Sequence, residues 1–284
     1  MSAPAQLALQ APLGPGRRLR PGVVVALVVV AFFLVAAVTP GLLAGRDPFA
    51  IDLGNSLRPP SVHHLFGTDQ SGRDVYARVI YGTRQSLLIG LGATGLSIGI
   101  ALVLGLASGL GGRWVDTTVS RSVEVLFSFP VLLLALLFVA VFGPGATTQI
   151  VAVGIGTAPG YARMIRGQVL AVRNSAYVEA ARALGHRPTK VLRRHLFPNA
   201  MRPLVAVVTL GIGQSIVWAS GMSFLGLGVA PPAPEWGALL DAGRNYVTRA
   251  WWLEVVPGLC IVVIALSVTA LGRYLQRRLE GRLT

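Results

Sequence analysis

The stretches of chain that carry no Asp, Glu, Lys or Arg constrain this sequence more than any other feature. Residues 21–45, 85–112, 125–162, 203–234 and 255–272 are free of formal charge. A membrane-crossing helix needs about 20 mostly apolar residues, and each stretch can supply one. The 125–162 stretch is 38 residues long and is broken by Gly143-Pro144-Gly145, a turn signal inside an apolar run, so it predicts two helices. The expectation is an all-α membrane protein with six transmembrane helices. Composition agrees: the chain is 53% hydrophobic and 13% charged, against roughly 25% charged in an average soluble domain. That balance excludes a disordered chain and argues against an ordinary soluble enzyme.

The charges then test the count. An even number of spans puts both termini on one side, together with 1–20, 113–124, 163–202 and 273–284. These segments carry +3, 0, +8 and +3, the whole of the net charge of +14. The opposite side, 46–84 and 235–254, carries +1 and −1. The positive-inside rule makes the basic side cytoplasmic. Basic residues confined to loops between apolar spans also argue against nucleic acid as a partner. Arg17, Arg18 and Arg20 before the first span would suit a secretory signal. The length of that span and the lack of a clean small-x-small site favour a retained anchor. Cys260 is the single cysteine, so no disulfide can form within the chain.

Several chemistries are missing. The only lysine, Lys190, is followed by Val191, so there is no Gly-Lys-Ser/Thr to cradle phosphates, and the chain is not expected to be an enzyme. Gly90-Leu91-Gly92-Ala93-Thr94-Gly95 matches G-x-G-x-x-G but lies inside a span. It reads, with Gly95/Gly99 and Gly105/Gly109, as close helix packing. His63-His64 lacks helical metal-ligand spacing and reads as a solvated loop. No carboxylate lies deep in a span, which argues against a stand-alone ion-coupled carrier or an intramembrane aspartyl protease. No catalytic, cofactor or metal residue is expected.

The 163–202 loop is the most informative. Tyr177 to Leu184 predicts a short helix with Val178, Ala181 and Leu184 on one face. Gly185 suits the left-handed position that ends it, and Pro188 the first turn of a second helix. Leu192 and Leu196 fall on its apolar side, with Lys190, Arg193 and Arg194 on a basic side and Pro198 as its stop. A basic helix–turn–helix knob of this kind fits either a solvated loop or a docking element laid into the groove of a soluble partner. Its basic face also suits anionic lipid.

These residues resemble the coupling motif of permease subunits of bacterial ABC importers, E-A-A-x3-G-x9-I-x-L-P. Glu179, Ala180, Ala181, Gly185 and Pro198 match it in spacing, with His195 in place of Ile and Phe197 in place of Leu. His64 to Asp74, Phe129 to Leu136, Tyr161 to Arg163 and Ser223 to Gly228 are similar to the dipeptide/oligopeptide/nickel class, over roughly 60–280. Ala158, Ala219 and Arg273 stand where that class usually has Trp, Glu and Asp.

The resemblance implies a five-helix permease core of the methionine-permease type over 85–272, including the coupling loop 163–202. A peripheral first helix at 21–45 and an extracytoplasmic loop at 46–84 complete it, with cytoplasmic tails at 1–20 and 273–284. It implies a second permease as heterodimer partner, two ATPase subunits or one fused pair that bind ATP and Mg, and an extracytoplasmic binding protein. The chain itself would hold no cofactor. ATPase coupling would rest on Glu179, Ala180, Ala181, Gly185, Leu192, His195 and Pro198. Asp69, Arg73 and Asp74 would form either a salt-bridged turn before the second span or a recognition site. The cargo implied is a di- or oligopeptide, with nickel or a metal chelate as the alternative within the class. A stand-alone channel or carrier, and a membrane enzyme, remain the readings from other classes.

Overall fold

The computed structural model describes residues 21–201 and 204–279; the tail at 1–20 and the last residues, 280–284, lie outside them. The described residues form helices joined by turns, without a strand. The first helix, α1 (Pro21–Val38), is apolar all round and buries Val23, Ala26, Phe33 and Ala36 along one stripe. It packs on the last helix and on α3. After a single turn, α2 (Pro40–Leu43), the chain loops to α3 (Val75–Leu110). This helix has 36 residues, about 54 Å at 1.5 Å per residue.

Next come α4 (Arg113–Ser128) and α5 (Val131–Phe142), which meet at 84°. Pro130 makes the bend: it has no N–H to continue the ladder and forbids helical geometry to the residue before it. Phe129 is accordingly extended, at φ −82° and ψ 123°. Gly143, at φ +78°, ends α5. The 28-residue α6 (Ala146–Arg173) runs through the centre of the bundle. Beyond it come α7 (Ala176–Ala183), α8 (Pro188–Val191), a π-helical turn (Leu192–Leu196) and α9 (Phe197–Met201). The chain closes with α10 (Leu204–Phe224), the short α11 (Trp236–Gly243) and α12 (Trp252–Leu279).

The α3–α6 contact is the most extensive in the bundle, and missing side chains make it possible. A Cβ on Gly105 would stand 2.7 Å from Ile165, and one on Gly109 2.7 Å from Val169. Close approach of this kind is how helices gain dispersion energy in lipid. The packing expectation holds for that pair and for Gly90, which abuts Ile216. It fails for Gly95 and Gly99, which face open space.

Four helices, α1, α3, α10 and α12, are long and apolar enough to cross a membrane, and α4 with α5 makes a fifth as one bent span. The difference from six has two physical reasons. The predicted third span breaks at Pro130, leaving α5 with 12 residues. And α6 is long but not very apolar, because a central helix surrounded by protein is built of Gly, Thr, Gln and Ala. The helices also overrun the charge gaps. The α3 helix starts at Val75, so 46–84 is not all loop, and α6 ends at Arg173, inside the predicted 163–202 loop. Charged residues end the apolar stretch without ending the helix.

Candidate functional site

The hairpin after α6 is built as a compact unit. In α7, Val178 is fully buried and Ala181 nearly so, in one apolar cluster with Val172, Val191, Leu196 and Ala200. Leu184, expected on that same face, is 77% exposed, because α7 ends at Ala183 and the chain has already turned away. Gly185 lies at φ +72°. The Gly185 N–H donates to Arg182 O at 2.9 Å, and the His186 N–H to Ala181 O at 3.2 Å, the paired bonds that close a helix on a left-handed residue. Pro188 occupies the first turn of α8. The rings of His186 and His195 stack 6.0 Å apart at 14° and clip the two arms together.

The expected coupling residues divide by exposure. Glu179, Ala180 and Gly185 are exposed, as are Arg182, Lys190, Arg193 and Arg194. Glu179 makes no salt bridge to the described residues. Ala181 is turned inward, so it supports the hairpin and offers no contact outside it. Leu192 and His195 are half-buried and Leu196 is buried. Pro198 does not stop the helix. It sits within α9, and the π-helical turn before it accommodates it: the Phe197 N–H reaches back five residues to Leu192 O. The widened turn absorbs a residue that can neither donate nor tolerate the carbonyl four residues back.

At the same end of the bundle lies a polar latch that the sequence did not reveal. The Arg166 guanidinium donates through Nε to Asp116 Oδ1 at 2.6 Å and through Nη2 to Oδ2 at 2.7 Å. Ser108 Oγ donates to the same carboxylate, as does Ser120 Oγ at 3.2 Å. The latch joins α3, α4 and α6. The guanidinium hydrogen bonds, and then the Ser108 hydroxyl, hold the Asp116 carboxyl well below the usual carboxylate range. Nearby, the Arg163 guanidinium stacks over the Phe127 ring at 3.6 Å. Asp116 and Arg166 are 50 residues apart, and nothing in the pattern pairs them.

The other end carries Asp69, Arg73 and Asp74, all under 9% exposed, but in two arrangements rather than one turn. Asp69 accepts from Arg73 Nε at 2.7 Å and from the N–H groups of Ser71 and Arg73. Asp74 caps α3 by accepting from the Ala77 N–H at 2.9 Å. Its other oxygen lies 2.9 Å from His64 Nδ1 and 3.4 Å from Arg46 Nη1. His64 is therefore a partner of the cap and not part of a solvated loop. Gly72, at φ +75°, lies so close to the Asp52 backbone that a Cβ would collide with it. Trp252 Nε1 donates to Thr68 O at 3.1 Å and ties the segment to α12. Geometry of this kind holds a loop in shape. Among the described residues, no three His, Cys, Asp or Glu side chains gather as a metal site.

A bundle of long apolar helices with a basic hairpin exposed at one end has the architecture of an integral membrane subunit. Residues 101–281 match the family of binding-protein-dependent transport system inner membrane components, and the chain belongs to that family. It is 34% identical to the dipeptide transport system permease protein DppC of Alkalihalophilus pseudofirmus, over 92% of this chain and 86% of that protein. It is 37% identical to the probable D,D-dipeptide transport system permease protein DdpC of Escherichia coli, over 92% and 88%. Its fold is similar to that of a chain in the inward-facing MetNI methionine ABC transporter, with a TM-score of 0.61 at 20% identity, covering 71% of this chain and 96% of that one. The chain is thus a multi-pass inner-membrane transport component, and its family is one of permease components rather than of catalysts.

Proposed function

We propose that this chain is a permease subunit of an ATP-driven importer. With a second, different permease it forms the path for di- or oligopeptides delivered by an extracytoplasmic binding protein. The observation that carries the reading is identity above one third along almost the whole chain to permeases named for dipeptides. Those names favour peptides over nickel or a metal chelate.

In this reading six segments cross the membrane: α1, α3, α5 with the end of α4, α6, α10 and α12. The termini and the hairpin face the cytoplasm, as the charge partition favours, and 46–74 faces outward. The five helices after α1 are the core, and α1 is peripheral. ATP and Mg are held by two ATPase subunits or one fused pair. The outward face of α7, with Glu179 and Ala180, docks in a groove of the ATPase, and Gly185, Leu192, His195 and Pro198 keep the hairpin in shape. ATP binding favours one of two conformations, and its differential affinity shifts the population between them.

Purification of the tagged chain from its native membrane, with mass spectrometry of proteins and bound small molecules, tests the proposal. Recovery of a second permease, P-loop ATPases and a binding protein loaded with peptide is expected. Recovery of the chain alone, in an oligomer that moves solute without ATP, would overturn it.

A further inference from the structure

The helices that cross the membrane leave much of their surface uncovered, and that surface is almost uniformly apolar. Along α1, α3 beyond Arg84, α5, α10, and α12 as far as Ala270, the exposed positions are Val, Leu, Phe, Ala, Pro and Gly, with Gln214 as the exception among the described residues; α6 exposes Thr147 in its first turn and Arg163, which lies over the Phe127 ring. Gln214 is the eleventh of the 21 residues of α10, so it stands at the middle of a helix about as long as the hydrocarbon layer is thick.

Its orientation is set. The Tyr161 hydroxyl, from α6, donates to Gln214 Oε1 at 2.9 Å. Tyr161 gets that close because Gly211, one turn earlier in α10, has no side chain; a Cβ there would already lie 3.1 Å from the hydroxyl. With its oxygen anchored, the Gln214 amide points both Nε2 hydrogens away from the tyrosine. Two turns further along α10, Gly221 has nothing within 4 Å of its missing Cβ.

An amide in hydrocarbon must find hydrogen-bond partners or lose a large solvation energy. Polar side chains at this depth face protein or a water-filled cavity. We infer that the Gln214 amide, positioned by Tyr161, lines the aqueous translocation path and hydrogen-bonds the peptide groups of cargo in transit. A carboxamide matches a peptide group: its Nε2 donates to a peptide carbonyl, and the second lone pair of Oε1 accepts from a peptide N–H. This inference rests on the function proposed above.

The single native cysteine makes the test direct. In the assembled complex carrying Cys260→Ser, Gln214→Cys is compared with Val262→Cys, which sits on the exposed apolar face of α12. A positively charged thiosulfonate and a lipid-soluble maleimide are applied during ATP turnover. Modification of the Gln214 variant by the charged reagent, none of the Val262 variant, and at least threefold slowing by saturating dialanine are expected. Reaction with the maleimide alone, or with neither reagent, would place Gln214 against lipid or inside a protein contact and overturn the inference. Charged-reagent labelling that dialanine leaves unchanged, in a complex that takes up dialanine, would overturn the cargo contact. A complex that takes up no dialanine would defeat the proposed function instead, and the charged reagent would still decide whether Gln214 meets water. Gln214→Leu is expected to lower dialanine uptake about tenfold, a loss Gln214→Asn partly restores.

Discussion

At the scale of single residues, Gly185 and Glu179 make separable predictions. A side chain at φ +72° costs about 1–2 kcal/mol. Gly185→Ala is therefore expected to loosen the hairpin and lower uptake while the complex still assembles, which uptake and co-purification together would show. Glu179 is exposed and forms no ion pair to the described residues. Glu179→Ala should leave the melting temperature of the solubilised protein within about 1 °C and still reduce peptide-coupled ATP hydrolysis severalfold, since surface changes are usually near neutral. Asp116 gives a pH prediction. Its carboxyl is held below its unfolded value, so its contribution is fully present above about pH 4 and is lost as pH falls through the native value. Asp116→Asn should lower the melting temperature at pH 7, with the gap between variant and wild type closing only in strong acid. Gly185 and Pro188 were legible because one residue type answers to one backbone conformation. The latch was not, because its partners meet only after α4 folds back onto α6, and no local pattern encodes that distance.

Among elements, the joint between α4 and α5 shows what charge gaps can and cannot say. The break at Gly143 to Gly145 was readable from three consecutive turn formers. The 84° bend was missed because Pro130 sits inside an apolar run, where hydropathy is continuous although the backbone is not. Replacing it restores an amide donor and removes the ring clash. Pro130→Ala is expected to straighten the joint, which pulsed electron-spin measurements between labels on α4 and α5 would register as a longer distance. The helical fold of the 163–202 loop was also readable, but not Pro198 within a continuing helix. Proline reads as a helix stop by local rule, whereas here the π-helical turn before it, with the Phe197 N–H bonded to Leu192 O, lets the helix continue.

For the whole molecule, the sequence placed the membrane helices by one criterion, absence of charge, and this succeeds where a helix meets lipid. It is weakest for α6, whose neighbours are protein, and for the ends of α3, α6 and α12, which continue beyond the apolar stretch. The proposed path belongs to no single chain, so proteoliposomes holding this subunit alone, with ATP, are expected to accumulate no dialanine. Adding the second permease, the ATPases and the binding protein should restore uptake, as a filter assay with labelled dialanine would measure.

The α3 helix has a mechanical consequence. It is one unbroken rod, capped by Asp74 at one end and bonded through Ser108 to the Asp116 carboxylate at the other. At about 54 Å it is nearly twice the thickness of the hydrocarbon layer. A rotation of about 10° about its capped end would swing the far end by about 9 Å for a rod of that length. The helix is thus a lever: a small change of tilt at the loop that holds Asp74 becomes a large displacement at the latch, and the latch in turn constrains the tilt.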